Sequence, residues 1–541
     1  MYFFLPSWYS QGHAWSKVED SWYRMGDQAE FDDTVGQVRL FSKAGEEVTL
    51  VVLAYTPCLR QLLHRLGLSG TYYWAVFDLM QGIRRRDIGL FSYQEMGWPA
   101  GMEWVYTSLA LQGYLHGELF CQLEFGQEGT LLFMDRFQEG KRIFRNYFDD
   151  RGFLSSKVFY KEEKPRLQEF YDEAGVCQLK HNLITDEVKI CEGSHHAFAR
   201  KSYPTMSLLL AEILIGFLGH VPTQRDTLVV AADPRHNSLT LLGKKKCLTV
   251  LSFYEKRYPL SDVAKLRKEI SLCDMVVTDT QILSQGLMAI CGWKEGEPMA
   301  PPGSMGDGYP VVRRPIMDIS PYDARLSLGH SQTLRENKVF LPYDGISEEV
   351  RDQVLREIFS YMSSNPKVVL LVATSLRLRE EKEKLRQYFL SLMNEAQVPE
   401  IAVEKERTGS SENEDYLGEA AQPRVFFVGN DEEAITQALG DARLVVDVSD
   451  HPGLYLQIAA ISAGVPQVGF AHSRYVEDRK NGYVIRSVEE LQSALSYFLD
   501  GLSNWNRALV YSLEKIAAYT DGRIAQRWSD ALDAARFGRD Q

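Results

Sequence analysis

The chain has 541 residues, of which 45% are hydrophobic and 25% charged, a composition typical of a globular protein with two or three domains rather than a disordered one. Its 73 acidic residues against 60 lysines and arginines give a net charge of −13, which does not favour non-specific binding of nucleic acid. The 7 cysteines are odd in number and include no C-x-x-C pair, so neither a zinc site nor a disulfide framework is expected, and reduced thiols in a cytoplasm are predicted.

The N-terminus, MYFFLPSWYS, predicts a buried strand of apolar and aromatic residues that Pro6 closes. Its apolar run is short and no basic residues precede it, so a signal peptide is not expected. A second buried strand, EVTLVVLAY (47–55), leads into CLRQLLHRLGL (58–68), whose apolar residues have helical spacing. This alternation of strand and helix predicts a parallel, doubly wound sheet.

Residues 114–191 have a different texture, in which apolar and aromatic residues alternate with polar ones between recurrent turns. FDDRGFL (148–154) and YDEAGVC (171–177) both place a glycine two residues after an acidic pair, as hairpin turns do. We interpret 114–191 as an antiparallel sheet inserted into the first α/β domain. Two copies of this turn unit are too few for a repeat protein.

Beyond the insertion, SLLLAEILIGFLG (207–219) predicts a buried helix. A membrane-spanning helix is not expected, because the segment carries Glu212 and is too short to span a bilayer. The α/β pattern then resumes in apolar strands at 227–233, 247–253 and 275–280. After a loop rich in proline and glycine (295–310), further apolar strands follow at 338–345, 367–374, 424–430 and 442–449. Helical segments close the chain from about 487 to 538.

The sequence therefore predicts an α/β fold with two tandem doubly wound, Rossmann-like domains and an antiparallel sheet inserted in the first. The predicted boundaries are 1–113 together with 192–320 for the first domain, 114–191 for the insertion and 321–541 for the second domain. Ligands of such folds lie in the cleft between the domains, at the carboxyl ends of the strands.

One stretch of the second domain, AAISAGVPQVG (459–469), followed by NGYVI (481–485), resembles the sugar-nucleotide site of retaining glycosyltransferases with the GT-B fold. The resemblance implies a GT-B-like fold for the chain. It also implies that the helix ending at Gly464 points its N-terminus towards the donor diphosphate, where the helix dipole favours negative charge.

The motif of those enzymes has two glutamates separated by seven residues, and they fall here on His451 and Ala459. Alanine offers no acceptor for the ribose of a nucleotide. Asp450 and Gln457 are near in sequence but out of register. The sequence therefore indicates that nucleotide-sugar chemistry has been lost.

The basic residues that hold the donor phosphates in those enzymes are also missing from the corresponding loop, LPYDGISEEV (341–350). No D-x-D motif signals a bridging metal, and G-x-S-x-G, H-E-x-x-H and a phosphate-binding glycine loop are all absent from the sequence. We predict no catalytic residue, no metal site and no cofactor, and we interpret the chain as a glycosyltransferase fold that no longer transfers sugar.

The start of the chain gives a narrower resemblance. An aromatic strand followed by a P-S-W-Y loop is formed by Tyr2, Phe3, Phe4, Pro6, Ser7, Trp8 and Tyr9. With these residues the chain resembles, over essentially its whole length, the first accessory secretory protein of the accessory Sec system.

That resemblance implies a non-catalytic component for the export of glycosylated serine-rich repeat adhesins, whose N-acetylglucosamine-type glycans it would bind. Its implied partners are two companion accessory secretory proteins, the accessory Sec ATPase and the adhesin, and no nucleic acid. The implied location is the cytoplasm, with any membrane contact peripheral and at the inner face of the cell membrane. The competing hypothesis is an active GT-B glycosyltransferase that acts on the adhesin.

The candidate glycan-binding residues come from both walls of the predicted cleft: Trp8, Tyr9, His13, Asp450, His451 and Gln457. Aromatic rings of the N-terminal loop can stack on the apolar side of a sugar, but Trp8, Tyr9 and Trp15 can equally pack the domain. His451 can donate to a sugar hydroxyl or serve a structural role. The inserted sheet can offer an edge to a companion protein or only cover the domain.

Overall fold

The computed structural model describes residues 1–10, 15–19, 21, 31–126, 128–241, 246–292, 305–306, 309–310, 312, 314–376, 379–395, 402–403, 423–470 and 473–539. These residues form two 7-stranded parallel sheets, a 10-stranded antiparallel sheet and a 2-stranded one. Within these ranges, no helix is long and apolar enough to cross a membrane.

The strands and helices alternate along most of the chain. The strands are β1 (Tyr2–Leu5), β2 (Val48–Val52), β3 (Tyr72–Ala75), β4 (Met102–Tyr106), β5 (Leu111–Leu115), β6 (Glu118–Phe125), β7 (Leu131–Gln138), β8 (Lys141–Asp149), β9 (Phe153–Lys161), β10 (Lys164–Tyr171), β11 (Cys177–Asn182), β12 (Val188–Ile190), β13 (Ser202–Tyr203), β14 (Thr227–Ala231), β15 (Leu248–Phe253), β16 (Met275–Thr278), β17 (Met305–Gly306), β18 (Tyr309–Pro310), β19 (Ile316–Asp318), β20 (Asn337–Pro342), β21 (Val368–Ala373), β22 (Ala402–Val403), β23 (Pro423–Val428), β24 (Ala442–Val446), β25 (Gln467–Gly469) and β26 (Gly482–Val484). The helices are α1 (Asp33–Lys43), α2 (Leu59–Arg65), α3 (Val76–Gln81), α4 (Met206–His220), α5 (Asn237–Leu241), α6 (Val263–Ser271), α7 (Gln281–Cys291), α8 (Glu348–Ser364), α9 (Arg379–Glu395), α10 (Glu432–Asp441), α11 (Leu454–Ala463), α12 (Leu491–Leu499), α13 (Leu502–Ala518) and α14 (Asp521–Arg539).

The first parallel sheet has the strand order β19-β16-β15-β14-β1-β2-β3, so the N-terminal strand lies near its centre. β1 pairs in parallel with β14 on one side and with β2 on the other. Every residue of β14 and β15 is buried, because apolar clusters pack on both faces of the sheet. The carboxyl ends of β1, β14, β15 and β16 meet at one edge of this sheet, which is where α/β folds bind their ligands.

The antiparallel sheet is a meander between β3 and β14, with strands in consecutive order from β4 to β13. It runs from Met102 to Tyr203 and is therefore wider than the predicted insertion, 114–191. The two predicted turns place Gly152 and Gly175 at φ 86° and 82°, in the left-handed region that glycine tolerates. At one edge β13 packs against α4, whereas β4 forms the other edge and exposes Tyr106.

The second parallel sheet has the strand order β22-β23-β21-β20-β24-β25-β26. Its central strands carry the continuous apolar runs that the sequence shows, and every residue of β21 and β24 is buried. Two doubly wound parallel sheets with an antiparallel sheet inserted in the first confirm the predicted α/β fold.

The last helix, α14, packs on the first domain although it follows the second sheet in sequence. Trp528 is 0% exposed and meets the ring of Phe41 edge-on, at a centroid distance of 5.5 Å. It shares an apolar cluster with Phe4 of β1. Residues 521–539 therefore cover the first domain, whereas the sequence had placed them within 321–541. An amphipathic helix pattern does not say which sheet the helix covers.

Candidate functional site

A polar cluster lies at the carboxyl edge of the first sheet. Asp233 follows β14 and is buried, and its carboxylate accepts hydrogen bonds from Ser7 Oγ at 2.5 Å and from both Nε and Nη2 of Arg235 at 2.9 and 2.7 Å. Burial alone would raise the pKa of Asp233, but the hydrogen bonds from Arg235 and Ser7 lower it to about 2. The bidentate pair fixes the guanidinium in one orientation.

Tyr9 supplies the aromatic part of this cluster. Its hydroxyl lies 2.8 Å from Nδ1 of His236, and Nε2 of the same imidazole lies 2.7 Å from the carbonyl oxygen of Ala231. Burial lowers the pKa of His236 to about 4, so the ring is neutral and the contacts suit the tautomer protonated at Nε2. Arg235 covers one face of the Tyr9 ring, with Cζ 4.2 Å from its centroid, and Trp15 meets the ring edge-on at 5.8 Å.

Arg257 ties the cluster to the first helix. Its guanidinium donates to both carboxylate oxygens of Asp33, at 2.5 and 2.9 Å, and to the carbonyl oxygens of Ala232 and Ser252, at 2.9 and 2.8 Å. Burial, followed by the charge of the adjacent Asp33, raises the pKa of Asp32 to about 6. All three nitrogens of Arg257 therefore donate to protein acceptors, and the side chain holds the two loops and α1 together.

A second fixed carboxylate follows β15. Glu255 has a φ of 46°, a left-handed conformation that residues other than glycine rarely adopt. Its backbone N–H donates to Oδ2 of the buried Asp279 at 2.8 Å. The preceding Tyr254 packs in one apolar cluster with Leu454 and Ile458 of α11. This edge of the first sheet therefore lies against the helix of the second domain that the sequence had singled out.

The start of α11 carries a carboxylate of its own. Asp447 is buried, and its side chain accepts hydrogen bonds from the backbone N–H groups of Ser449 and Gly453, at 3.2 and 3.3 Å. Burial raises its pKa, although these hydrogen bonds oppose the rise. An anion already lies beside the helix end to which the glycosyltransferase resemblance assigns the donor diphosphate, and a second anion is repelled there.

The loop after β20 is likewise acidic. Asp344 accepts hydrogen bonds from Thr374 Oγ1 at 2.8 Å and from Ser375 N at 2.6 Å. The base that follows the loop, Arg351, donates to the carbonyl oxygen of Ile346 at 2.8 Å and lies over an aromatic ring of the loop. Throughout 341–350, all of which the structure describes, the side chains offer no cation to a phosphate.

The predicted site residues are only partly brought together. Tyr9 lies in the polar cluster of the first domain, and Asp450 and His451 are exposed just before α11. Trp8 is buried in an apolar cluster of the first domain, so its indole packs the core. His13 lies outside the described residues.

Gln457, on α11, is also turned inward. Its Oε1 accepts a hydrogen bond from Ser473 Oγ at 2.8 Å, and its carbonyl oxygen accepts one from Gln467 at 3.1 Å. The side chain is buried. Gln457 therefore braces the turn after the helix and presents nothing to the cleft.

Sequence reasoning missed the polar residues of the first-domain edge: Asp33, Asp233, Arg235, His236, Glu255 and Asp279. The signal that could have found them is their place directly after apolar strands, where parallel sheets bind ligands. In the described part of the chain, this cluster included, histidine, cysteine and acidic side chains form no group of three or more that could hold a metal ion.

Comparison with known proteins finds relatives in the accessory Sec system and similar folds among glycosyltransferases. The family model of the accessory Sec system protein called accessory secretory protein 1 matches residues 1–535. Its member from Streptococcus gordonii is 30% identical over 542 residues, covering 99% of this chain and 99% of the relative. Its member from Staphylococcus aureus is 27% identical, covering 98% and 99% of the two chains.

Solved structures show the same fold. The Glycosylation Associate Protein (Gap123) complex from Streptococcus agalactiae contains a chain that is 28% identical, with a TM-score of 0.80, over 98% of this chain and 100% of that one. The crystal structure of accessory secretory protein 1, 2 and 3 in Streptococcus pneumoniae contains a chain with a TM-score of 0.79 and 26% identity, over 99% of both. The pneumococcal O-GlcNAc transferase GtfA, bound to UDP and GlcNAc, shares only 12% identity, but its TM-score of 0.68 over 99% of both chains confirms the GT-B-like fold.

Proposed function

We propose that this chain acts without catalysis in the export of glycosylated serine-rich repeat adhesins. The chain belongs to the family of accessory secretory protein 1, and it therefore has a role in accessory Sec export. The observation that carries this proposal is the family match over residues 1–535, at nearly equal length in the curated relatives. Its proposed location is the cytoplasm, with peripheral contact at the inner face of the cell membrane.

The absence of catalysis is supported by the second-domain wall of the cleft. His451 and Ala459 stand at the two positions where the resemblance expects glutamates. The carboxylates of Asp447 and Asp344 lie on the two segments to which the same resemblance assigns the donor's phosphates, where positive charge would be needed. A nucleotide sugar would meet repulsion there and would find no acceptor for its ribose.

We further propose that the inserted sheet, with 114–191 at its centre, binds one of two companion accessory secretory proteins, and that the accessory Sec ATPase and the adhesin complete the set of partners. Two similar chains of known structure belong to such assemblies, one to the Glycosylation Associate Protein (Gap123) complex and one to a crystal structure of accessory secretory protein 1, 2 and 3. The open edge strand β4 contains no lysine or proline, the residues that usually protect an edge from pairing, and its Tyr106 is 72% exposed.

The cleft is the proposed site for N-acetylglucosamine-type glycans. Tyr9, Asp450 and His451 remain its candidate residues. Tyr9 lies in the polar cluster of the first domain, and Asp450 and His451 are exposed just before α11. A sugar offers hydroxyl groups that carboxylates and imidazoles can pair with, and these walls are rich in such groups.

The proposal is tested in cells whose own copy of this protein is deleted. The variant Tyr106→Glu should lose companion proteins on co-purification and should export less adhesin, because the charge prevents strand pairing at the edge. The matched control is Tyr72→Glu, since Tyr72 is 74% exposed but lies on β3 of the first sheet. Normal co-purification of Tyr106→Glu would exclude this edge as the contact.

Catalysis is tested separately with purified protein, UDP-GlcNAc and a peptide substrate from the adhesin. We expect no sugar transfer above the buffer control. Transfer that disappears in an Asp447→Ala variant would show an active enzyme and reject the non-catalytic proposal.

A further inference from the structure

We propose that Arg235 and Glu255 form the first-domain half of a saccharide subsite, in which Arg235 donates hydrogen bonds to the ligand and Glu255 accepts them. This inference rests on the proposed glycan binding and names the residues and ligand class for one wall of the cleft. Neither residue is among those that the sequence analysis selected.

The guanidinium of Arg235 is fixed in position but partly exposed. One edge of its guanidinium is fixed by Asp233 and one face lies on Tyr9, yet 39% of the side chain remains exposed. No hydrogen bond from its Nη1 is made to the described residues. By contrast, Arg257 in the same cluster is 14% exposed and spends all three nitrogens on protein acceptors. Arg257 is a structural group, whereas Arg235 is a fixed donor with capacity left over.

Glu255 is held through its backbone. Its left-handed backbone is anchored by the buried carboxylate of Asp279, and its own side chain is exposed. Strained backbone that the surrounding structure holds in place clusters at binding sites. Each of the two proposed ligand contacts therefore projects from a loop that a buried aspartate holds in place.

The two loops are neighbours. β14 and β15 pair in parallel, with Ala231 opposite Ser252, and strands in a sheet lie about 4.8 Å apart. Arg257, two residues after Glu255, donates to the carbonyl oxygen of Ala232, three residues before Arg235. The donor and the acceptor are consequently tied to one another and can contact one oligosaccharide together.

Charge decides the class of ligand. Among the described residues of the loops discussed above, carboxylates outnumber guanidinium groups at this edge. Asp32, Asp33, Asp233, Glu255 and Asp279 stand against Arg235 and Arg257. A phosphate or another anion is disfavoured by this balance. A neutral ligand that carries hydroxyl donors and an amide carbonyl acceptor fits one arginine and one exposed glutamate, and an N-acetylhexosamine has both groups.

The test is isothermal calorimetry of the full chain with chitotriose as the probe. Glu255→Gln and Arg235→Lys should each weaken binding about tenfold or more, since hydrogen bonds to charged groups are worth that much. The matched controls are Glu47→Gln and Arg225→Lys, two exposed residues at the amino edge of the same sheet. Both controls should bind as the unchanged protein does.

Glu255→Gly separates binding from folding. Glycine adopts a φ of 46° without strain, so this variant should unfold at the same or a higher temperature while it loses chitotriose binding. Unchanged affinity in both Glu255 variants and in Arg235→Lys would overturn the subsite and leave the proposed export function untouched. If the unchanged protein bound no chitotriose, the subsite and the glycan part of the proposed function would both fall, whereas co-purification of companion proteins would still test the export role. Binding of UDP that Arg235→Lys abolishes would replace the saccharide with an anion.

Discussion

Replacing His236 should remove one defined component of the pH dependence of stability. The imidazole is buried and neutral, with a pKa of about 4 against an ordinary value of 6.5. A folded-state pKa below the unfolded one means that the unfolded chain binds the proton first. The stability from the neutral imidazole is therefore complete above pH 6.5 and is lost as pH falls from 6.5 towards 4.

The magnitude follows from the size of this gap. At pH 5 the unfolded imidazole is almost fully protonated and the folded one is not, so about 2 kcal/mol of unfolding free energy is lost relative to pH 7. Other buried groups have the opposite effect on the pH dependence of stability, since burial raises the pKa values of Asp32 and Asp150 to about 6. Only the difference between the protein and a His236 variant isolates the imidazole.

The assay is urea unfolding of the full chain and of His236→Gln, at pH 7 and at pH 5. The variant should be less stable at pH 7, because the hydroxyl of Tyr9 loses its acceptor. The gap between the two proteins should shrink by about 2 kcal/mol at pH 5. The matched control is His64→Gln, because His64 is exposed. A gap that stays constant between the two pH values would refute the neutral, buried imidazole.

Further predictions concern packing and ligand selectivity. Trp528→Ala should cost about 3–5 kcal/mol in urea unfolding, whereas Trp528→Phe should cost less, because the buried indole N–H finds no hydrogen-bond partner among the described residues. Equal costs would contradict this. Gly36→Ala should destabilise the protein, since a Cβ there would lie 2.3 Å from the Pro321 carbonyl oxygen, while Gly216→Ala, with nothing within 4 Å, should be neutral or stabilising in the same measurement. Calorimetry with UDP-GlcNAc should detect weak or no binding, since each missing charge-assisted bond weakens it by about 1.5–3 kcal/mol; micromolar affinity would reject the loss of the donor site.

The sequence was most informative where burial is complete. TLVVAAD (227–233) and KVVLLVAT (367–374) correspond to β14 and β21, because a parallel strand with both faces covered must be a continuous apolar run. The glycine turns of the insertion were equally visible, since Gly152 and Gly175 occupy conformations that other residues avoid. In both cases a local physical requirement leaves its mark on a few adjacent residues.

Features that depend on distant parts of the chain could not be read in this manner. No residue of the outer strand β4 is buried, since one of its faces is exposed and the other is at most half-buried. The sequence therefore shows no clear apolar alternation there, and the pairing of β4 with β5 emerges only in the sheet. Trp8 looked like a ring for stacking on sugar, but its surroundings in the folded chain bury it. Asp233 and Glu255 read as ordinary loop residues, because their partners Ser7 and Asp279 are brought to them by different strands.

If the proposed function is correct, both walls of the cleft favour a neutral glycan over a nucleotide sugar. Among the described residues, the first wall carries more carboxylates than guanidinium groups. The second carries Asp447 and Asp344 on the two segments to which the glycosyltransferase resemblance assigns a donor's phosphates. Both therefore repel nucleotide sugars, which every cell that glycosylates an adhesin must contain. Discrimination between ligands can come from unfavourable contacts with the wrong one as well as from favourable contacts with the right one. On this proposal, the lack of basic residues in the loop after β20 does more than remove catalysis. It would also keep the soluble sugar donor out of the cleft and leave the walls to neutral glycan chains.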